Sequence, residues 1–167
     1  MRFCKIKSND VVNGEGICVS LWTMGCPHKC KGCFNKDTWK FGEGDIFTDI
    51  HTKQIIELLN KDGISRNLSV LGGEPLCSQN VEGVVQLCKE IKSIYPEKII
   101  YLWTGYTLEE FNKEQSEILK YIDILIDGKY EEDKQDITLL LRGSSNQRVI
   151  NVKESLAADK IIEQKLT

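Results

Sequence analysis

Three thiols stand within eight residues in Cys26-Pro27-His28-Lys29-Cys30-Lys31-Gly32-Cys33. Thiolates this close together select zinc or an iron–sulfur centre. A structural zinc asks for four ligands. His28 would complete a Cys3His set, but no second Cys-x2-Cys or His-x3-His pair follows downstream. An electron-transfer cluster also asks for four cysteines. Cys77 or Cys4 could supply the fourth, though neither stands in a ferredoxin spacing. The third option is a four-iron cluster held by Cys26, Cys30 and Cys33 alone. One iron is then open to a substrate, much as a catalytic zinc keeps an open position. The spacing by itself leaves all three open.

Other chemistry-bearing groups recur at intervals. Leu71-Gly72-Gly73-Glu74-Pro75 follows a strand-like run. Paired glycines let the backbone approach a ligand closely, and a carboxylate beside them can hold an ammonium group. Trp103-Thr104-Gly105-Tyr106 offers a hydroxyl at Thr104 that could reach a site. Asp127-Gly128-Lys129 sets an acid and a base two residues apart, which in isolation reads as a solvated turn. Arg142-Gly143-Ser144-Ser145-Asn146-Gln147-Arg148 is polar and turn-rich, a surface loop unless it faces a ligand or partner.

The elements that must position these groups are legible in outline. A chain of 167 residues, 41% hydrophobic and 28% charged, fits one globular domain over 1–167 and excludes disorder, collagen and coiled coil. No apolar run exceeds five residues, so no membrane span is expected. The net charge of −3 does not argue for broad nucleic-acid binding. Seven cysteines, an odd count, behind an N-terminus with no signal-like apolar region point to metal or redox use in a reducing cytoplasm rather than to disulfides. Gly16 to Met24 reads as a strand and Gly25 to Phe47 as a functional loop. Residues 52–61 read as a helix with Thr52 as a possible N-cap, 67–71 as a strand, and 80–95 as a helix with Cys88 on its apolar face. Lys98 to Trp103 is a strand, Thr107 to Glu110 a capping box opening a further helix, and Ile122 to Ile126 a strand. Residues 149–167 read as a terminal strand and helix or a frayed tail. The βαβαβαβ order implies an α/β fold with a mostly parallel sheet, whose ligands bind at the C-terminal strand ends. The unusual residues all fall at those ends.

Cys-x3-Cys-x2-Cys is the signature of the radical S-adenosylmethionine superfamily, which the chain resembles. From about Val12-Asn13-Gly14 to Arg148 it resembles more closely the family that activates anaerobic ribonucleoside-triphosphate reductase. The likeness rests on Gly25 to Asn35, Thr38-Trp39, Gly72 to Leu76, Gln79-Asn80, Trp103 to Tyr106, Asp127 to Tyr130, and Arg142 to Gln147. It implies a partial, open β/α barrel with helices outside. It also implies one 4Fe-4S cluster per chain, ligated by Cys26, Cys30 and Cys33, with S-adenosylmethionine on the fourth iron. Gly72, Gly73 and Glu74 would meet the cofactor's amino group, and Asp127 and Lys129 its carboxylate. Gly32, Cys33, Phe34 and Thr104 would complete the cofactor site, with Phe34 against the adenine. An external low-potential donor would reduce the cluster, and cleavage of the cofactor would give a 5′-deoxyadenosyl radical. That radical would take the α-hydrogen of a glycine near the C-terminus of the partner reductase. No protein acid, base or nucleophile is required, so His28 and His51 need no catalytic role. Glu15 and Cys18 stand where the family often has Pro and Arg. The rival readings are another glycyl-radical activase, such as one resembling the pyruvate formate-lyase activating enzyme, and a non-enzymatic zinc or ferredoxin-like module.

Overall fold

A computed structural model describes residues 1–166. Seven strands form one open mixed sheet: β1 (Arg2–Asp10), β2 (Cys18–Thr23), β3 (Asp45–Ile46), β4 (Asn67–Gly72), β5 (Ile100–Trp103), β6 (Ile124–Asp127) and β7 (Arg148–Asn151). Their spatial order is β3-β1-β2-β4-β5-β6-β7. The four central strands β2, β4, β5 and β6 run parallel. β1, β3 and β7 pair antiparallel and flank them.

The parallel strands are laid down in chain order, each beside the last. Right-handed crossovers that advance in one direction put every helix on the same face. The register bears this out. Leu21, Val70, Leu102 and Leu125 form a row across the sheet. They are buried with Ile55 and Leu59 of α1 (Asp49–Leu59) and with Val84, Leu87, Cys88 and Ile91 of α2 (Val81–Ile94). The intervening residues face the other way, because side chains alternate along a strand. Cys18, Tyr101, Ile124, Ile126 and Val149 form a separate cluster there, with Trp103 and Leu141 against it. One face is thus committed to the helices and the core, and the other is left for loops and a cavity.

The parallel core and α2 match the sequence reading; the edges depart from it. β1 was not expected. Only Phe3 and Asp10 of its nine residues are buried, and two irregularities in its pairing with β2 break the alternation. α1 begins after Thr48 rather than at Thr52, which is buried inside the helix. The Thr48 N–H donates to His51 Nδ1 at 3.0 Å. The Thr107–Glu110 capping box exists but opens only the 3-10 turn Leu108–Glu110. The short helix α3 (Lys113–Ser116) starts afresh behind Asn112, whose side chain accepts from the Gln115 N–H. After β7 the chain forms α4 (Val152–Ala158), and Thr167 lies outside the described residues. Among the described residues no helix is long and apolar enough to cross a membrane.

Candidate active site

The cysteine loop leaves the C-terminal end of β2 at Gly25, whose φ of +91° suits glycine. Its backbone is fixed before the first thiol: the Gly25 N–H donates to Thr38 O at 2.8 Å and the Cys26 N–H to Trp39 O at 3.0 Å. The neighbouring strand end locks onto it. The Glu74 N–H donates to Gly25 O at 2.8 Å. A Cβ on Gly73 would stand 2.6 Å from that same oxygen, so only glycine lets the two strand ends meet.

These contacts open a cavity of about 550 Å³ at the C-terminal ends of the parallel strands. Cys26, Cys30 and Cys33 all line it, as do Gly72, Gly73, Glu74, Thr104 and Phe34. Its floor is the helix-free face of the sheet, represented by Trp22, Leu71 and Trp103. Burial pushes the Cys26 thiol up to about 11, against the lowering effect of the His28 backbone N–H. Burial also raises Cys30, opposed by the Tyr130 N–H. The Asn35 N–H donates to Cys33 Sγ at 3.3 Å. Backbone N–H groups directed at cysteine sulfurs are among the levers that tune iron–sulfur sites.

The donor set fits an iron–sulfur cluster: three soft thiols face one roomy cavity, and the glycine pair forms a wall without side chains. Among the described residues no three His, Cys, Asp or Glu side chains are gathered closely enough to hold a single metal ion. Cys77 and Cys88 are buried, and neither they nor the exposed Cys4 line the cavity.

Several expected ligand residues stand elsewhere. Asp127 is fully buried but faces away from the cavity. Ile126 belongs to the cavity-side cluster, so Asp127, one residue on, points to the helix side. There its carboxylate accepts from Arg148 Nε at 2.9 Å, Arg148 Nη2 at 2.5 Å and the Leu108 N–H at 2.8 Å. Lys129 is exposed and does not line the cavity. Gly32, at φ +75°, turns toward Glu132 and also lies off the lining. Glu74 does line the cavity, but its carboxylate is already bonded to four protein donors. They are the Leu76 N–H (2.9 Å), Thr104 Oγ1 (2.8 Å), the Gly105 N–H (2.7 Å) and His28 Nε2 (2.8 Å). Phe34 sits at the mouth, largely exposed, edge-on to Tyr130 with ring centroids 5.4 Å apart.

Asp10 was not singled out from the sequence, and Arg148 was read only as the end of a polar, turn-rich run. Asp10, buried at the end of β1, accepts from the Val12 N–H, the Asn13 N–H, Asn13 Nδ2 and Ser20 Oγ. It thereby shapes the wall formed by Val12 and Asn13. Arg148 clamps Asp127 to Glu109 across β6 and β7. The only sequence signal for either was a charged residue at a strand end.

Residues 12–150 match the family described as 4Fe-4S single cluster domain. A protein of Haemophilus influenzae named anaerobic ribonucleoside-triphosphate reductase-activating protein is 42% identical over 92% of this chain and 99% of its own length. The chain belongs to this family of activating proteins. Two further members carry the same name. One from Escherichia coli strain K12 is 43% identical over 86% of this chain and 94% of its own. One from Enterobacteria phage T4 is 44% identical over 89% of this chain and 93% of its own. The span matched to the 4Fe-4S family runs from the Val12 wall of the cavity through all three cysteines to β7, which ends one residue beyond it.

Proposed function

We infer that this activating protein generates a glycyl radical on anaerobic ribonucleoside-triphosphate reductase, using a 4Fe-4S cluster and S-adenosylmethionine. The observation that carries the reading is the convergence of Cys26, Cys30 and Cys33 on one cavity walled by Gly72 and Gly73. The three thiolates would hold the cluster. When bound and reduced, the cluster supplies the electron that splits S-adenosylmethionine into methionine and a 5′-deoxyadenosyl radical. The chain's own residues bind, orient and exclude water. The Gly72-Gly73 backbone, whose close approach no side chain obstructs, would receive the cofactor's amino group. Phe34 at the mouth would cover the adenine.

The open sheet suits a partial β/α barrel of the radical S-adenosylmethionine type, with the gap admitting a glycine-bearing segment of the reductase. An external low-potential donor and a cytoplasmic setting complete the reading. Electron paramagnetic resonance on anaerobically reconstituted, dithionite-reduced protein tests it. A reduced four-iron signal that changes on adding S-adenosylmethionine, followed by a glycyl-radical signal when the reductase is present, is the expected result. A cluster signal indifferent to the cofactor, or none, would overturn it.

A further inference from the structure

We propose that Glu74 does not touch the cofactor and is instead a positioning residue. Through His28, it pins the loop that carries Cys26 and Cys30 to the ends of β4 and β5. This rests on the cluster-and-cofactor reading above and departs from what the superfamily resemblance implies for Glu74, contact with the cofactor's amino group.

The geometry points away from that role. Glu74 is 1% exposed, and a buried carboxylate must be satisfied from within the protein. Its four donors come from three separate segments. Leu76 belongs to its own loop, Thr104 and Gly105 to the loop after β5, and His28 to the cysteine loop. Each oxygen takes two: Oε1 from Leu76 and Thr104, Oε2 from Gly105 and His28. The carboxylate's acceptor capacity is thus already committed to protein donors.

His28 is shaped for the other end of the pin. It stands midway between Cys26 and Cys30, with its side chain 6% exposed. Its ring lies edge-on to Tyr106 with centroids 4.5 Å apart. On another side it lies against Gly105, where an added Cβ would collide with the ring. Glycine at 105 therefore does two things: it leaves room for the ring and donates its N–H to the same carboxylate. Lys29, the next residue, sits at φ +48°, a backbone state that a non-glycine side chain adopts at a cost. A loop so bent between two metal ligands needs an external restraint, and the His28–Glu74 contact supplies one.

The pin is tested on the metal-free chain first, by hydrogen exchange resolved to peptides. His28→Leu keeps the bulk but cannot donate. It should raise exchange across the cysteine loop by about tenfold or more, in line with a lost hydrogen bond to a charged group, while α2 is unchanged. His28→Gln, which can still donate to Glu74, should restore protection. Gly105→Ala should reproduce His28→Leu. In reconstituted protein, His28→Leu and Glu74→Gln should each lower iron per chain, and the double variant should be no worse than either single one. His28→Gln should load iron and show the cofactor-induced change in the resonance signal.

The proposal is overturned if His28→Leu leaves loop exchange and iron loading at parental levels while Glu74→Gln loads iron fully yet loses its response to S-adenosylmethionine. Glu74 would then be the cofactor's ligand. Failure of the underlying functional reading looks different, because the parent protein itself would show no cofactor-responsive cluster whatever the exchange data say.

Discussion

Asp10 shows how much of the cavity depends on single polar groups. Burial alone would raise its carboxyl. Hydrogen bonds from the Asn13 side chain, the Val12 N–H, the Ser20 hydroxyl and the Asn13 N–H outweigh that and hold it at about 2, below its ordinary 3.8. A carboxyl lowered in the folded state contributes stability that is fully present above the unfolded value and is lost as pH falls through the folded one. Apoprotein stability should therefore drop between about pH 4 and pH 2, by about 2 kcal/mol from this group. Denaturant midpoints across that range check it, and Asp10→Asn should flatten the slope. If Cys30 is one of the cluster's ligands, as proposed, Cys30→Ala should lose iron and all glycyl-radical formation. An active Cys30→Ala protein would remove Cys30 from the cluster. The cysteine spacing and the glycine pair could be read from residues alone because both are contiguous. The roles of Asp10, Asp127 and Glu74 could not, since each depends on partners 10 to 46 residues away or on which face of a strand the side chain leaves.

At the scale of elements, β6 and β7 are joined by more than their ladder. Arg148 reaches from β7 to Asp127 of β6 and to Glu109, which it holds down to about 2. Asp127 is fully buried, whereas Glu109 is mostly exposed and contributes little. Arg148→Met strands the Asp127 charge and should cost about 3 kcal/mol, read from the urea midpoint. Asp127→Asn in the same chain should recover part of it. Because this pair points away from the cavity, the cofactor-induced spectral change should survive in the double variant. α2 was legible because its apolar residues recur at three- and four-residue steps on one buried face. β1 was not, because its bulged pairing and largely polar surface leave no period of two. The Thr107 capping box marks a start, but a start signal carries no information about length: a 3-10 turn of three residues follows.

Over the whole molecule the division of labour between the two sheet faces governs what metal loss does. The main core lies between the sheet and α1 and α2, while the thiols hang from loops beyond the strand ends. Small metal domains whose ligands are their core unfold without metal. This chain should not: iron removal by an anaerobic chelator should leave the far-ultraviolet circular dichroism essentially unchanged, with faster exchange confined to the cysteine loop. Collapse of the helical signal would show that the cluster is part of the core. The α/β architecture and the position of the site at the strand ends were legible because strand and helix patterns alternate along the chain. The antiparallel flanks were not, because pairing direction leaves no mark on a strand's own residues. The strand order β2-β4-β5-β6 has a further consequence, for synthesis. A chain emerging from the ribosome can add each parallel strand to an edge that already exists, while the cavity's walls are drawn from residues 12 to 147. All three thiols are therefore made long before the wall that holds Arg142, Gly143 and Gln147. A nascent chain would carry the three thiols proposed as cluster ligands early, on an unfinished vessel, and the cavity gains its final enclosure only when the segment leading into β7 has been made.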